Sequence, residues 1–190
     1  CMLIVSRSGA GKTALQEAIC ELFPEESLIR YTRLTGQALF YKEPGSLKNK
    51  VLSIEEEEGM QQALYSIRTL ASSQRLAVAT TRSDPKTGKM KTEEYLVEGP
   101  VFLLIATTRP DSLDFETRSR FIVTTVDESE AQTERIPNAR KNRYTLEGRL
   151  QSGKRQVILK KYRNMQRLLK PLIVVNPYAP YLDYPIGRLQ

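Results

Sequence analysis

The segment best suited to chemistry is Ser6-Arg7-Ser8-Gly9-Ala10-Gly11-Lys12-Thr13. It stands between an apolar run, Met2 to Val5, and a stretch from Thr13 to Phe23 in which Leu15, Ala18, Ile19 and Leu22 recur at helical spacing. It differs by one residue from the phosphate loop G-x-x-x-x-G-K-[ST], with Ser6 at the first glycine position. Glycines let backbone N–H groups wrap phosphate oxygens, and the N-terminus of the following helix adds partial positive charge. On that reading Ser8, Gly9, Ala10, Gly11, Lys12, Thr13 and Ala14 cradle a nucleotide. Lys12 reaches the β- and γ-phosphates, and Thr13 holds Mg²⁺ through its hydroxyl. The plain alternative is a chance Gly-Lys-Thr after an ordinary turn.

A second segment, Val51-Leu52-Ser53-Ile54 followed by Glu55 to Glu58, supplies carboxylates at the end of a short strand. It resembles the acidic strand of P-loop ATPases. That resemblance implies a metal-side role for Glu55, where Asp is usual, and a general-base role for Glu56 toward the attacking water. Glu57 and Glu58 also suit the start of a helix, whose dipole favours acids there.

Composition removes other chemistries. The chain has 190 residues, 29 Lys and Arg against 22 Asp and Glu, no His and no Trp, and a net charge of +7. Without His there is no Ser-His-Asp triad, no Cys-His dyad and no His-ligated metal. Two cysteines, Cys1 and Cys20, make neither a disulfide framework nor a four-cysteine zinc site, so a reducing, cytoplasmic setting is the simplest expectation. No apolar run approaches the roughly 20 residues needed to span a bilayer. A start at Cys running straight into a strand is expected of a piece of a longer protein.

The charge is uneven. Residues 138–170 hold eleven Lys and Arg and one acid, Glu147, a balance of +10. The last twenty residues are neutral, which leaves −3 for residues 1–137. A basic tail on a mildly acidic body points to an anionic partner, nucleic acid first, or to a solvated helical face.

The elements that must position these groups read as α/β with a mainly parallel sheet. Strands are expected at 2–5, 28–34, 51–54, 101–106 and 121–126, and helices at 13–23 and 61–76, with a short helical patch at 36–41. Val101 to Ala106 is a continuous apolar run, as a central strand buried on both faces requires. Strands at 76–82 and 90–97, joined by Ser83 to Lys89, read as a hairpin. From Ser129 the pattern is helical, with Pro137, Gly148 and Gly153 expected to interrupt it; Pro177 to Pro185 reads as extended.

The downstream run Ala106-Thr107-Thr108-Arg109-Pro110-Asp111-Ser112-Leu113-Asp114 resembles the sensor-1 strand end of AAA+ ATPases, with Thr108 at the polar sensor position. Thr117-Arg118-Ser119-Arg120-Phe121 is similar to that family's arginine box; the resemblance implies that Arg120, or as second choice Arg118, enters a neighbouring subunit's ATP site. The order of motifs over residues 2 to about 130 follows the family, and the basic helices stand where its small lid lies. Arg149 is the candidate for the lid's sensor arginine. The hairpin before the sensor strand, with Lys86, Lys89 and Lys91 at or near its tip, resembles the pre-sensor-1 hairpin of replicative helicases such as the minichromosome-maintenance group. Glu55-Glu56-Glu57-Glu58-Gly59-Met60 is similar to that group's acidic box.

The resemblance implies a P-loop AAA+ core over residues 1–128, a hairpin insertion at about 76–98, a helical lid at 129–175 and an extended tail at 176–190. It implies an ATP- and Mg²⁺-dependent motor, assembled as a hexameric ring, that grips single-stranded DNA through the hairpin lysines. Two other readings stay open: a small-molecule P-loop kinase, and a nucleotide-binding scaffold that does not hydrolyse.

Overall fold

A computed structural model describes residues 1–35, 37–55, 60–83, 89–109, 114–170, 173 and 175–182; the side chains of residues 60–62, 64 and 82 are left undescribed. The body is a five-stranded, all-parallel sheet. Its strands are β1 (Met2–Val5), β2 (Leu28–Tyr31), β3 (Lys50–Ile54), β6 (Val101–Thr107) and β7 (Ile122–Thr125), in the order β2-β3-β6-β1-β7. The remaining two strands, β4 (Arg75–Ser83) and β5 (Met90–Glu98), pair antiparallel as a separate ribbon. The helices are α1 (Lys12–Cys20), α2 (Met60–Ser73), α3 (Phe115–Arg118), α4 (Glu130–Asn142) and α5 (Leu146–Leu168).

Alternation along the central strands assigns the two faces of the sheet. Leu3, Leu52, Ile54, Leu103 and Ile105 pack in one buried cluster with Ala63, Ile67 and Leu70 of α2. Ile4, Leu104 and Ala106 form the other with Cys20, backed by Leu15 and Ile19 of α1. The sheet is therefore covered by α1 on one face and α2 on the other, which is why β6 reads as unbroken apolar sequence. The register puts Met2 beside Leu104 and Lys50 beside Val101, so β6 is the shared neighbour of β1 and β3.

The hairpin is anchored by one residue. Gln74 takes φ 55 between α2 and β4, and its carbonyl accepts from Gly99 N at 2.7 Å. Its side-chain Oε1 accepts from Val101 N, also at 2.7 Å. Both ends of the ribbon and the first residue of β6 are thus tied at a single point.

Several local expectations need correction. The strand expected at 28–34 ends at Tyr31; of the helical patch expected at 36–41, Gly36 lies outside the described residues and 37–41 is a series of turns that buries Leu39, with Leu34 and Leu47 buried on either side. Pro137 lies inside α4, and Gly148 and Gly153 lie inside α5. Helix α4 buries none of its residues, so the carbonyl left without a donor by Pro137 can turn to water. Gly148 sits in the first turn of α5, where its N–H is capped by Thr145 Oγ1 at 3.1 Å. A Cβ there would lie 1.9 Å from the Asn142 carbonyl oxygen, so glycine is what lets α4 turn so tightly into α5. Gly153 faces open space and costs α5 only intrinsic propensity.

Candidate functional site: a phosphate loop at the carboxyl edge of the sheet

In a parallel sheet all strands end on the same edge, and the loops leaving that edge converge. The loop after β1, Glu55 after β3 and Thr108 after β6 all leave from it. The sheet order sets β6, with its terminal Thr107 and the Thr108 that follows it, between the glycine loop and the acidic strand.

The loop has the backbone that its glycines promise. Gly9 and Gly11 take φ 79 and 98, and an added Cβ at either would meet nothing within 4 Å. The constraint is conformational, and the concavity beside the loop is open. Lys12 folds back across it, donating to the Ser6 carbonyl at 2.8 Å and the Arg7 carbonyl at 2.7 Å. The ammonium is thereby held over the loop while Lys12 opens helix α1.

Ser6 has its own reason to replace glycine. Among the described residues only Asn49 and Gln74 combine a side chain with a positive φ, so position 6 makes no demand for glycine. Ser6 is buried, its hydroxyl accepts from Val126 N at 2.8 Å, and its N–H reaches the Thr107 carbonyl at 3.4 Å. It ties the loop to the ends of β6 and β7. Arg7 extends the tie: its backbone N–H donates to Glu128 Oε1 at 3.1 Å and its guanidinium pairs with Glu128 Oε2 at 2.5 Å. These bonds from Arg7 hold the Glu128 carboxyl below its ordinary range.

Thr13 and Glu55 line the same crevice, together with Gln16, Arg30 and Ser53. Thr13 and Glu55 are both exposed, a hydroxyl and a carboxylate of the kind a hard cation takes as ligands. Among the described residues no group of three His, Cys, Asp or Glu could hold a metal alone, so a cation here needs phosphate oxygens as further ligands. The residues fit Mg²⁺ bound with a nucleotide. Glu56 lies outside the described residues, one position beyond Glu55.

A larger cavity, about 670 Å³, opens between the glycine loop and α4. Gly9, Gly11 and Ala14 line one side, and Ile136, Arg140 and Arg143 the other. Two arginines of α4 and its C-terminal end therefore share a cavity with the glycine loop, and Arg149 is not among its lining residues. Sequence reading missed Arg140 and Arg143 because eleven basic residues in one segment look alike until the helix is docked.

Helix α5 meets the body of the molecule through a cluster of ion pairs. Arg155 pairs with Glu21, and Arg163 Nε donates to the Glu21 carbonyl at 2.9 Å. Arg167 grips Glu26 through two bonds of 2.6 and 3.1 Å. Its hydrogen bond pushes the Glu26 pKa down to about 2. Leu159 is the one α5 side chain buried among the described residues.

The arginine box lies elsewhere. Arg120 is tied to Ser72 of α2 and to Glu116, whose carboxylate it meets at 3.0 Å. Arg68 joins the cluster through Asp114 at 3.1 Å and Glu116 at 2.7 Å. Asp114 caps α3, and the bonds from Thr117, with Arg68 and Arg120 nearby, keep its carboxyl below the usual range. Arg118 closes α3 and is half-buried. Arg120 stands just before β7, whose first residue Ile122 donates to the Cys1 carbonyl at 3.0 Å. That is the amino edge of the sheet, a strand length of about 13 Å from the edge that carries the phosphate loop.

The hairpin leaves from that same amino edge, since β5 leads into the start of β6. Lys89 and Lys91 are exposed near its tip; Lys86 and the rest of 84–88 lie outside the described residues. The register sets Arg82 directly opposite Lys91. No described helix is long and apolar enough to cross a membrane. Compared with models of known protein families and with curated proteins, the chain matches none.

Proposed function

We propose that this chain is a Mg²⁺-dependent ATPase of the AAA+ type that works in a ring and moves along DNA. The observation that carries the reading is the sheet order. It sets the β6 threonines between the glycine loop and the acidic strand, so that one water could face a γ-phosphate, a polar side chain and a carboxylate together. An ordered set of such groups on one sheet edge is what positioning-based phosphoryl transfer to water needs.

In this reading Lys12 and the loop N–H groups neutralise the phosphates. Arg140 and Arg143 face the bound nucleotide from the lid. Thr108 orients the water and Glu56 accepts its proton. Bound Mg²⁺, next to Thr13 and Glu55, supplies charge neutralisation at the phosphate oxygens. Arg120 leaves the sheet at the opposite edge, too far to serve its own chain's site, and this supports a role in a neighbouring copy's site. Lys89 and Lys91 stand exposed near the hairpin tip, which suits an anionic partner. Lys86, Lys89 and Lys91 would contact the phosphates of single-stranded DNA without reading bases.

The test is nucleotide turnover by the complete protein, with and without single-stranded DNA, for wild type and Glu56→Gln. The reading requires DNA-stimulated release of phosphate that the variant loses. Phosphate transfer to a metabolite would instead indicate a kinase, and tight binding without turnover a scaffold.

A further inference from the structure

Gln16 is a polar residue where an apolar one would be expected. It lies on the sheet-facing side of α1, only 2% exposed. Its Nε2 group donates to three acceptors: Ser53 Oγ at 2.8 Å, the Ile54 carbonyl at 2.9 Å and the Leu104 carbonyl at 3.4 Å. Its Oε1 atom is buried with no partner. Two of the acceptors are backbone carbonyls, so the amide cannot turn over without setting its oxygen against them. The unpartnered oxygen is a fixed cost of keeping the donor where it is.

An apolar side chain of the same length would spare the orphaned oxygen but take the donor away from the buried Ser53 hydroxyl and from two carbonyls, so the two costs oppose each other. What the amide does achieve is geometric. Gln16 stands one helical turn beyond Lys12 and three residues after Thr13. Its acceptors are the last two residues of β3, immediately before Glu55, and a residue of β6 three before Thr107. One side chain thus pins the helix that carries Thr13 to the strand that carries Glu55, and to the strand leading to Thr108. Thr13, Gln16, Ser53 and Glu55 line a single crevice.

We propose that Gln16 is a positioning residue: it sets the separation between the Thr13 hydroxyl and the Glu55 carboxylate, and so the fit of the cation that accompanies the nucleotide. This rests on the phosphate-site reading above. It goes further by making cation use, and not nucleotide binding as such, the property that α1 packing controls.

The test compares the complete wild-type protein with Gln16→Met, which keeps length and apolar volume and removes the donors, and with Ser53→Ala, which removes only one acceptor. Binding of a non-hydrolysable ATP analogue is titrated with Mg²⁺ and in EDTA, alongside turnover and melting temperature. In wild type, Mg²⁺ should tighten analogue binding. In Gln16→Met the EDTA affinity and KM should stay within about twofold, while the Mg²⁺ concentration for half-maximal turnover rises and kcat falls about tenfold or more. Ser53→Ala should fall between the two. If Gln16→Met lowers the melting temperature but leaves Mg²⁺ dependence and kcat at wild-type values, Gln16 is a core residue only and the proposal fails. If wild type itself binds no nucleotide under either condition, the phosphate-site reading fails and the proposal falls with it.

Discussion

The two ends of β6 are built on different principles. At its carboxyl end the contacts run to main-chain groups: left-handed Gly9 and Gly11 shape the loop, the Lys12 ammonium bonds two loop carbonyls, and Ser6 bonds the ends of β6 and β7. At its amino end they are held by side chains: Gln74 on the hairpin base, and Arg120 and Arg68 on Glu116. A backbone cradle presents fixed dipoles and suits an anion of known shape. Side-chain clusters at a surface can exchange partners, which suits contacts with another copy or a polymer. The seven residues of β6 join the two ends.

This contrast can be broken most sharply at the backbone end. Lys12→Ala should abolish Mg²⁺-nucleotide binding and with it all turnover, read by analogue titration and phosphate release. Next in size is Arg120→Ala. Turnover should drop on the order of 10³-fold with nucleotide affinity kept, because the group acts on the transition state of a neighbour's site. Replacing Lys86, Lys89 and Lys91 together by Ala should weaken single-stranded DNA binding by an order of magnitude or more and flatten its salt dependence. DNA-free turnover should be untouched. Gly148→Ala tests the lid junction. Its Cβ would strike the Asn142 carbonyl, and a loss of about 1–3 kcal/mol in stability is expected from the forced shift.

The smallest effect concerns the lid latch. Glu26 lies at about 2 against an ordinary 4.5 because Arg167 bonds its charged form. Its folded value is depressed, so its contribution to stability is present above about 4.5 and disappears as pH falls toward 2. Both partners are exposed at the surface, which keeps the effect small. The difference in melting temperature between wild type and Glu26→Gln should narrow steadily over that range.

The parts legible in sequence are those fixed by short spacing. The glycine loop, the acidic strand end and the hairpin pairing from Arg75 with Glu98 to Ser83 with Met90 each occupy one local stretch. Strand order could not be read that way, because it depends on which of several apolar runs pair across a hundred residues. Ser6 looked like a departure from the motif until Val126, 120 residues away, supplied its donor. Gln16 passed unnoticed among helical apolar positions since its acceptors lie 37 to 88 residues on. Arg140 and Arg143 have no local signal that marks them, since only the placement of α4 brings them to the cavity beside the loop. Pro137 and Gly148 were read as helix breaks from propensity, but an exposed helix can lend one carbonyl to water and a tight junction can require glycine.

The central claim is that the two sheet edges serve different active sites, a loop for one copy and an arginine for its neighbour. Mixing two inactive variants, Lys12→Ala and Arg120→Ala, tests it most directly. In a mixed ring, the intact loop of an Arg120→Ala copy can meet the intact arginine of a Lys12→Ala copy. Phosphate release, lost from either variant alone, should return when they are mixed and exchanged before assay. No recovery from rings shown to contain both variants would contradict it, as would an Arg120→Ala protein that hydrolyses at the wild-type rate.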